Sequence, residues 1–117
     1  MQVAIVTGAS SGIGRVTVGK LAAMGMAVVG VGRDAAKLQA VRDEVGDPNR
    51  VETVAIDITA DEAPARIVQA AMSRWQKIDF LINNAGVGSP KPLHETDDKM
   101  LDYFLGLMLR APFRLAR

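Results

Sequence analysis

Near its start the chain carries three closely spaced glycines, in the run Thr7-Gly8-Ala9-Ser10-Ser11-Gly12-Ile13-Gly14, directly after the apolar residues 3–6. A buried strand that ends in such a run and continues into a helix can hold the pyrophosphate of a dinucleotide. Gly8 permits a sharp turn, Gly12 clears space where backbone approaches phosphate, and Gly14 lets the helix lie close to the sheet. The N–H groups and partial positive charge of the helix N-terminus favour an anion there. The alternative is a glycine-rich turn that binds nothing.

A basic residue stands about one strand and one helix further along, in the segment Gly32-Arg33-Asp34. A carboxylate at this point would bind the free ribose hydroxyl of NAD, whereas an arginine accepts the 2′-phosphate of NADP. Gly32 supplies no acid and Arg33 supplies a cation. The alternative for Arg33 is a solvated side chain paired with Asp34, and Asp34 itself is better explained as a helix cap than as a ribose ligand.

Two more polar segments follow predicted strands. Asp57 and Ile58 end the third strand, where a carboxylate can accept a hydrogen bond from an adenine amine and an apolar side chain can cover the ring. Asn83-Asn84-Ala85-Gly86 end the fourth, where amides can satisfy neighbouring backbone groups and small residues leave room for a ligand. Taken singly, each is also explained as a helix cap or a turn.

Apolar β-branched runs alternate with amphipathic stretches along the chain. We predict strands at about 3–7, 27–31, 51–56 and 79–83. Between them we predict a helix at about 13–24, a second from the Asp34 cap to Gly46, and a third that opens with a Thr59-x-x-Glu62 capping box or starts near Asp61. A last helix starts near 96 or 97, and Pro112 distorts its end. This alternation predicts an α/β fold with a parallel sheet of strand order 3-2-1-4, helices on both faces and a ligand cleft between strands 1 and 4.

The first helix is expected to direct Ile13, Val16, Leu21 and Met24 toward one side. No repeat or linker divides the chain, so residues 1–117 are interpreted as one dinucleotide-binding domain.

In this order, the motifs Thr7–Gly14, Asp57-Ile58 and Asn83–Gly86 resemble the cofactor-binding motifs of the short-chain dehydrogenase/reductase family. The resemblance implies a Rossmann fold, an NAD(P) cofactor and hydride transfer between nicotinamide and a carbonyl or alcohol. It further implies that Gly8 to Gly14 surround the pyrophosphate and that Arg33 binds the 2′-phosphate of NADP. Asp57 and Ile58 would contact adenine. Asn84, Ala85 and Gly86 would line the ribose side, and Asn83 would brace the sheet. NADP is expected ahead of NAD.

The sequence departs from the family where protons are handled. Members carry a catalytic Ser and a Tyr-x-x-x-Lys, but the one tyrosine here, Tyr103, is followed four residues later by Leu107 and is expected to pack. The family asparagine of the last helix is replaced by Met108, and a thioether cannot stand in for an amide. His94 lacks a recognisable partner and is expected at the surface. We therefore assign no catalytic residue.

Two functions of different class remain open. The chain is either the cofactor-binding half of an NADP-dependent reductase, truncated after the helix that follows strand 4, or a non-catalytic nucleotide-binding or interaction module. A Ser and a Tyr-x-x-x-Lys encoded beyond Arg117 would discriminate between them. The substrate class implied for the first is a small carbonyl or alcohol, whose identity the sequence does not give.

Composition excludes several other classes. The net charge of +1 argues against a nucleic-acid-binding protein, and no apolar run reaches membrane-spanning length. With no cysteine and one histidine, disulfides, thiolate catalysis and Cys- or His-rich metal sites are excluded. The first strand leaves no room for a signal peptide, so a cytoplasmic location is expected. The edge of strand 4 beside an apolar final helix predicts a homo-oligomer, unless that helix covers the edge.

Overall fold

The computed structural model describes residues 1–84 and 111–116. Strands and helices alternate in the order β1 (Val3–Thr7), α1 (Gly12–Ala23), β2 (Ala27–Gly32), α2 (Ala35–Val45), β3 (Val51–Ala55), α3 (Ala63–Trp75), β4 (Phe80–Ile82) and α4 (Ala111–Ala116). The four strands form one sheet in the order β3-β2-β1-β4. All pairings are parallel. The predicted α/β architecture and strand order are confirmed.

The two central strands are buried on both faces. Every residue of β1 is buried, and in β2 only the last, Gly32, is not fully enclosed. Their register places Val3 beside Ala27 and Thr7 beside Val31, so both strands end at the same level of the sheet. Because parallel strands are covered by helices on both faces, near-continuous apolar runs are what such positions require.

Two apolar clusters cover the two faces of the sheet. One packs under α3 and includes Ile5, Val29, Ile58 and Ile67. The other packs under α1 and α2 and includes Val6, Val18, Val28, Leu38 and Val41. Successive strand residues point to opposite faces, which explains why neighbours such as Ile5 and Val6 belong to different clusters.

The buried side of α1 differs from the predicted one. Its buried residues are Gly14, Val18 and Ala22, whereas Ile13, Val16 and Met24 are among the most exposed large apolar side chains of the described residues. Leu21, the remaining member of the predicted set, is partly buried against the cluster under α1 and α2. The helix turns Gly14, Val18 and Ala22 toward the sheet, and the small residues at the first and last of these positions allow it to approach the backbone closely.

Of the two predicted starts of α3, the one near Asp61 lies within two residues of the observed start, and the capping box is not formed. The helix begins at Ala63 with Pro64 in its first turn, and the side chain of Glu62 makes no capping hydrogen bond. Thr59 lies four residues before the first residue of the helix, and its N–H and hydroxyl both donate to Oδ1 of Asp57, at 3.0 and 2.7 Å. The Thr59-x-x-Glu62 capping box is therefore wrong, and the threonine belongs to a turn that follows β3.

The prediction for α2 is confirmed at both ends. Asp34 Oδ1 accepts hydrogen bonds from the backbone N–H groups of Ala36 and Lys37, at 3.0 and 3.1 Å. Gly46 ends the helix in the left-handed conformation with φ 73°. In α4, Leu115 packs against the cluster under α3, and the predicted start of the last helix near 96–97 lies outside the described residues.

A carboxylate joins the two strands that border the predicted cleft. Asp79 precedes β4, its N–H donates to Val3 O at 2.8 Å, and its Oδ2 accepts from Val3 N at 2.8 Å. Lys77 pairs with the same oxygen at 3.2 Å. The hydrogen bond from the Val3 N–H, which is the largest influence, lowers the pKa of Asp79 from its usual value of 3.8; burial opposes this shift, and Lys77 adds to it.

We expect Asp79→Asn to lower the free energy of unfolding at pH 7, with the difference from wild type fading in acid. A carboxylate whose pKa is lower in the folded state stabilises the fold above its unfolded-state pKa, near 3.8, and loses that contribution as the pH falls through the folded-state pKa. Urea unfolding of both proteins from pH 7 down to about pH 3 measures this. Two curves that remain parallel over the whole range would contradict it.

Candidate dinucleotide-binding site

The loop after β1 is bent by two glycines and fixed to the neighbouring strand. Gly8 and Gly12 have φ values of 67° and 58°, a conformation that other residues rarely adopt. Between them Ala9 is completely buried, and its N–H donates to Val31 O at 2.9 Å. A Cβ built on Gly30 would lie 3.3 Å from Cβ of Ala9, so the loop rests directly on β2.

Gly14 sits where α1 crosses this loop. A Cβ at this position would lie 1.9 Å from the carbonyl oxygen of Gly8 and 2.7 Å from Nδ2 of Asn84. A separation of 1.9 Å from a backbone atom cannot be relieved by rotating a side chain. The helix therefore begins in contact with the loop backbone, and no larger residue allows that approach.

Asn84 connects the end of β4 to the same loop. Its Nδ2 donates to Gly8 O at 3.3 Å, and its backbone N–H donates to Oγ1 of the buried Thr7 at 3.1 Å. The Thr7 hydroxyl in turn donates to Ile82 O at 3.4 Å. Asn83, which the motif assigns to bracing the sheet, is exposed. Among the described residues, the contacts that join the end of β4 to the loop are made by Asn84.

The outer part of the loop is open. Ser11 precedes α1 and its side chain makes no capping hydrogen bond, and no acidic residue stands in the first helical turn. A Cβ on Gly12 would meet nothing within 4 Å. Ile13 is 77% exposed although it is a large apolar side chain. Among the described residues, the N-terminus of α1 thus has no side-chain cap, a state in which the helix N–H groups stabilise an anion.

A cavity of about 750 Å³ adjoins this loop at the tip of β2. It is lined by Ser10, Ser11, Arg33, Asp34, Ala35, Ala36 and Lys37. The exposed Arg33 follows the strand, and Lys37 lies one helical turn further, in the first turn of α2. Sequence reasoning missed Lys37, which lines the cavity because α2 begins directly after the tip of β2.

Gly32 packs against the glycine loop. A Cβ on Gly32 would lie 3.2 Å from Oγ and 3.3 Å from Cβ of Ser10. Any side chain at this position would require Ser10 to move by a few tenths of an ångström. The position at which an acid would bind a ribose hydroxyl is thus occupied by glycine and covered by a serine.

The turn after β3 lies at the same edge of the sheet. Asp57 is half-buried and, as described above, holds both hydrogen-bond donors of Thr59. Ile58 is 5% exposed and belongs to the core cluster under α3, so its side chain faces protein. Ala85 and Gly86 lie outside the described residues, as do His94, Tyr103 and Met108.

Two classes of site are not found in the part of the chain that the structure describes. No group of three or more His, Cys, Asp or Glu side chains is arranged to hold a metal ion within residues 1–84 and 111–116. In the same residues, no helix combines the length and the apolar character needed to span a bilayer.

Comparison with known proteins agrees with this geometry. L-xylulose reductase of Mesocricetus auratus is 37% identical over 114 residues, which cover 97% of this chain and 44% of that enzyme. A metagenomic short-chain oxidoreductase, solved in complex with NADP, is 38% identical with a TM-score of 0.90, over 99% of this chain and 53% of the solved one. A 3-ketoacyl-(acyl-carrier-protein) reductase from Brucella melitensis, solved with NADH, is 35% identical with a TM-score of 0.92, over 99% and 48%.

The chain spans less than half the length of the curated relatives it matches. The family model for short chain dehydrogenase matches residues 2–117. Together with the strand order and the glycine loop, this match over nearly the whole chain shows that the chain belongs to the short-chain dehydrogenase family.

Proposed function

We propose that this chain is the cofactor-binding half, a single incomplete domain, of an NAD(P)-dependent oxidoreductase that transfers hydride between nicotinamide and a small carbonyl or alcohol. The main support for the proposal is the loop from Gly8 to Gly14. Positive φ values require glycine at Gly8 and Gly12, and the contact with the Gly8 carbonyl requires it at Gly14. The helix N-terminus that follows has no side-chain cap. A helix N-terminus held this close to a strand end is suited to pyrophosphate.

The predicted residues take distinct parts in this proposal. Gly8, Ser10, Ser11 and Gly12 surround the pyrophosphate, and Ile13 is covered by the bound dinucleotide. Ala9 and Gly14 act indirectly, because Ala9 holds the loop on β2 and Gly14 admits α1. Asn84 fixes the loop from the β4 side, next to the ribose positions proposed for Ala85 and Gly86. Asp57 approaches adenine, where Ile58 contributes backbone and core packing rather than an exposed side chain.

NADP is the proposed cofactor form. A 2′-phosphate carries a charge of about −2 near neutral pH, and the cavity beside the loop offers Arg33 and Lys37 to it, with the hydroxyls of Ser10 and Ser11 as donors. The carboxylate of Asp34 is engaged by the N–H groups of α2. Gly32 provides no acid for a free ribose. Related structures bind either form, one with NADP and one with NADH, so this preference depends on the chain's own residues.

We expect the chain to bind NADP⁺ more tightly than NAD⁺, and Arg33→Ala to weaken NADP⁺ binding by about tenfold or more with little effect on NAD⁺. A charge-assisted hydrogen bond contributes about 1.5–3 kcal/mol, and only NADP⁺ carries the phosphate. Calorimetric titration of both dinucleotides measures the ratio. Arg66→Ala, which removes an exposed arginine from α3, is the matched control. Equal affinities of the wild-type chain for both dinucleotides would overturn the preference for NADP.

We expect Gly14→Ala to reduce binding of both dinucleotides and to lower the melting temperature, because its Cβ collides with the Gly8 carbonyl. Gly19→Ala on the same helix is the control, since a Cβ there meets nothing within 4 Å. Removing a helical glycine at an open position stabilises by about 0.5–1 kcal/mol, so the two variants should shift melting in opposite directions. Thermal unfolding and titration of both variants check this, and similar behaviour of the two would refute it.

The 117-residue chain is proposed to bind cofactor without reducing carbonyls. Hydride transfer to a ketone requires a positioned proton donor, which contributes about 10²–10⁴-fold in rate, and the sequence carries no Tyr-x-x-x-Lys. We expect no NADPH oxidation with a panel of ketones and aldehydes. Oxidation that is present in the wild-type chain and lost in Gly14→Ala would contradict this.

Two features remain predictions. A reading frame that continues into a Ser and a Tyr-x-x-x-Lys would favour the reductase, and its absence would favour the non-catalytic nucleotide-binding module. Self-association through β4 is supported by Phe80, which is 47% exposed, and by the single strand neighbour that β4 has among the described residues.

A further inference from the structure

At the other end of the sheet, β3 has one strand neighbour among the described residues. Val28 N donates to Arg50 O and Ile56 N donates to Gly32 O, so alternate residues of the strand turn their backbone groups toward β2. The backbone groups of Val51, Thr53 and Ala55 are consequently directed away from the sheet. A row of outward N–H and C=O groups is a template on which another strand can add.

The side chain of Arg74, from the last turn of α3, reaches over this edge. Its Nη1 donates to Val51 O and to Oε2 of Glu52, both at 3.2 Å. Its Nη2 donates to Pro48 O at 3.0 Å. The guanidinium carbon also lies 4.8 Å from the ring centroid of Trp75. One planar group thus binds three acceptors and is held against an aromatic ring, a geometry suited to arginine and not to lysine.

Glu52 binds a second outward backbone group of β3. Its Oε1 accepts from the backbone N–H of Thr53 at 3.2 Å, while its other oxygen binds Arg74. The two side chains are 28% exposed for Arg74 and 30% exposed for Glu52, so the pair is partly withdrawn from solvent. An outward acceptor, Val51 O, and an outward donor, Thr53 N–H, are therefore both occupied by one ion pair.

We propose that the Arg74–Glu52 pair closes the edge of β3 against strand addition by a second copy of this chain. The strand is self-complementary: antiparallel pairing about a two-fold axis at Thr53 places Val51 opposite Ala55 and Glu52 opposite Val54 of the copy. Such pairing brings no like charges face to face and aligns the outward backbone groups of both strands. The pair blocks it by occupying two of the backbone groups that the copy would use, Val51 O and the Thr53 N–H.

The test compares Arg74→Met with Arg15→Met in sedimentation velocity across a dilution series. Arg74→Met keeps the apolar stem and removes every donor, and we expect its association constant for dimerisation to rise by about tenfold or more, because Val51 O of each copy is then free to pair. Arg15, which pairs with Glu44 between α1 and α2, is the matched control and should behave as wild type. Arg74→Lys keeps the charge without the fork and should give an intermediate constant.

A cross-link identifies the surface involved. The chain contains no cysteine, so Thr53→Cys introduces a single thiol at the proposed two-fold axis. A short bifunctional maleimide should link two copies in the Arg74→Met background and not in the Arg15→Met background. Circular dichroism verifies folding, and Arg74→Lys takes the place of Arg74→Met if the latter is unfolded.

Unchanged dimerisation of a folded Arg74 variant would overturn the proposal. Increased association without a cross-link through the Thr53→Cys thiol would also overturn it, because the copies would then meet elsewhere, for example at β4. No dinucleotide enters the experiment, so the result is independent of the proposed function.

Discussion

The absence of a side chain at Gly14 is the constraint on which the site depends. It brings the first turn of α1 onto the Gly8 carbonyl, the same oxygen to which Asn84 donates from the end of β4. One carbonyl therefore marks the meeting point of a loop, a helix and a strand. The buried residues that follow Gly14 in α1, Val18 and Ala22, have short side chains, which keep the helix axis close to the sheet. Close approach decides both the helix orientation and the position of its N-terminus.

Two of the helices that begin at the carboxyl edge of the sheet, α1 and α2, have N-termini of different kinds. The N-terminus of α2 is closed by its own carboxylate, Asp34, which accepts from two of its N–H groups. The N-terminus of α1 has neither a capping contact from Ser11 nor an acid in its first turn. An open N-terminus attracts an anion through its free N–H groups. Beside the capped N-terminus of α2, Arg33 and Lys37 line the cavity with two cationic side chains.

Much of the fold and of the site follows from local patterns in the sequence. The apolar run at residues 3–7 predicts a buried strand because parallel strands are covered on both faces, and glycine spacing predicts the loop that follows it. The features that sequence reasoning missed depend on contacts made in space. The Thr59 capping box is wrong because α3 begins only at Ala63, and Thr59 instead donates to Asp57 in the turn before it. The bracing role of Asn84 depends on which amide reaches the loop carbonyl, and Lys37 enters the cavity because α2 starts immediately after β2.

The carboxyl edge and the lateral edge of the sheet are handled by opposite physical means. At the carboxyl edge, the backbone N–H groups at the start of α1 have no side-chain cap and lie beside a cavity lined by Arg33 and Lys37, an arrangement suited to an anion. At the lateral edge of β3, Arg74 and Glu52 of the same chain bind two of the outward backbone groups, Val51 O and the Thr53 N–H. At both edges several backbone groups can share one charged partner, which is the Arg74 guanidinium at β3 and would be an anion at the start of α1. What differs is whether the partner belongs to the protein, and this is what distinguishes a binding site from a protected edge.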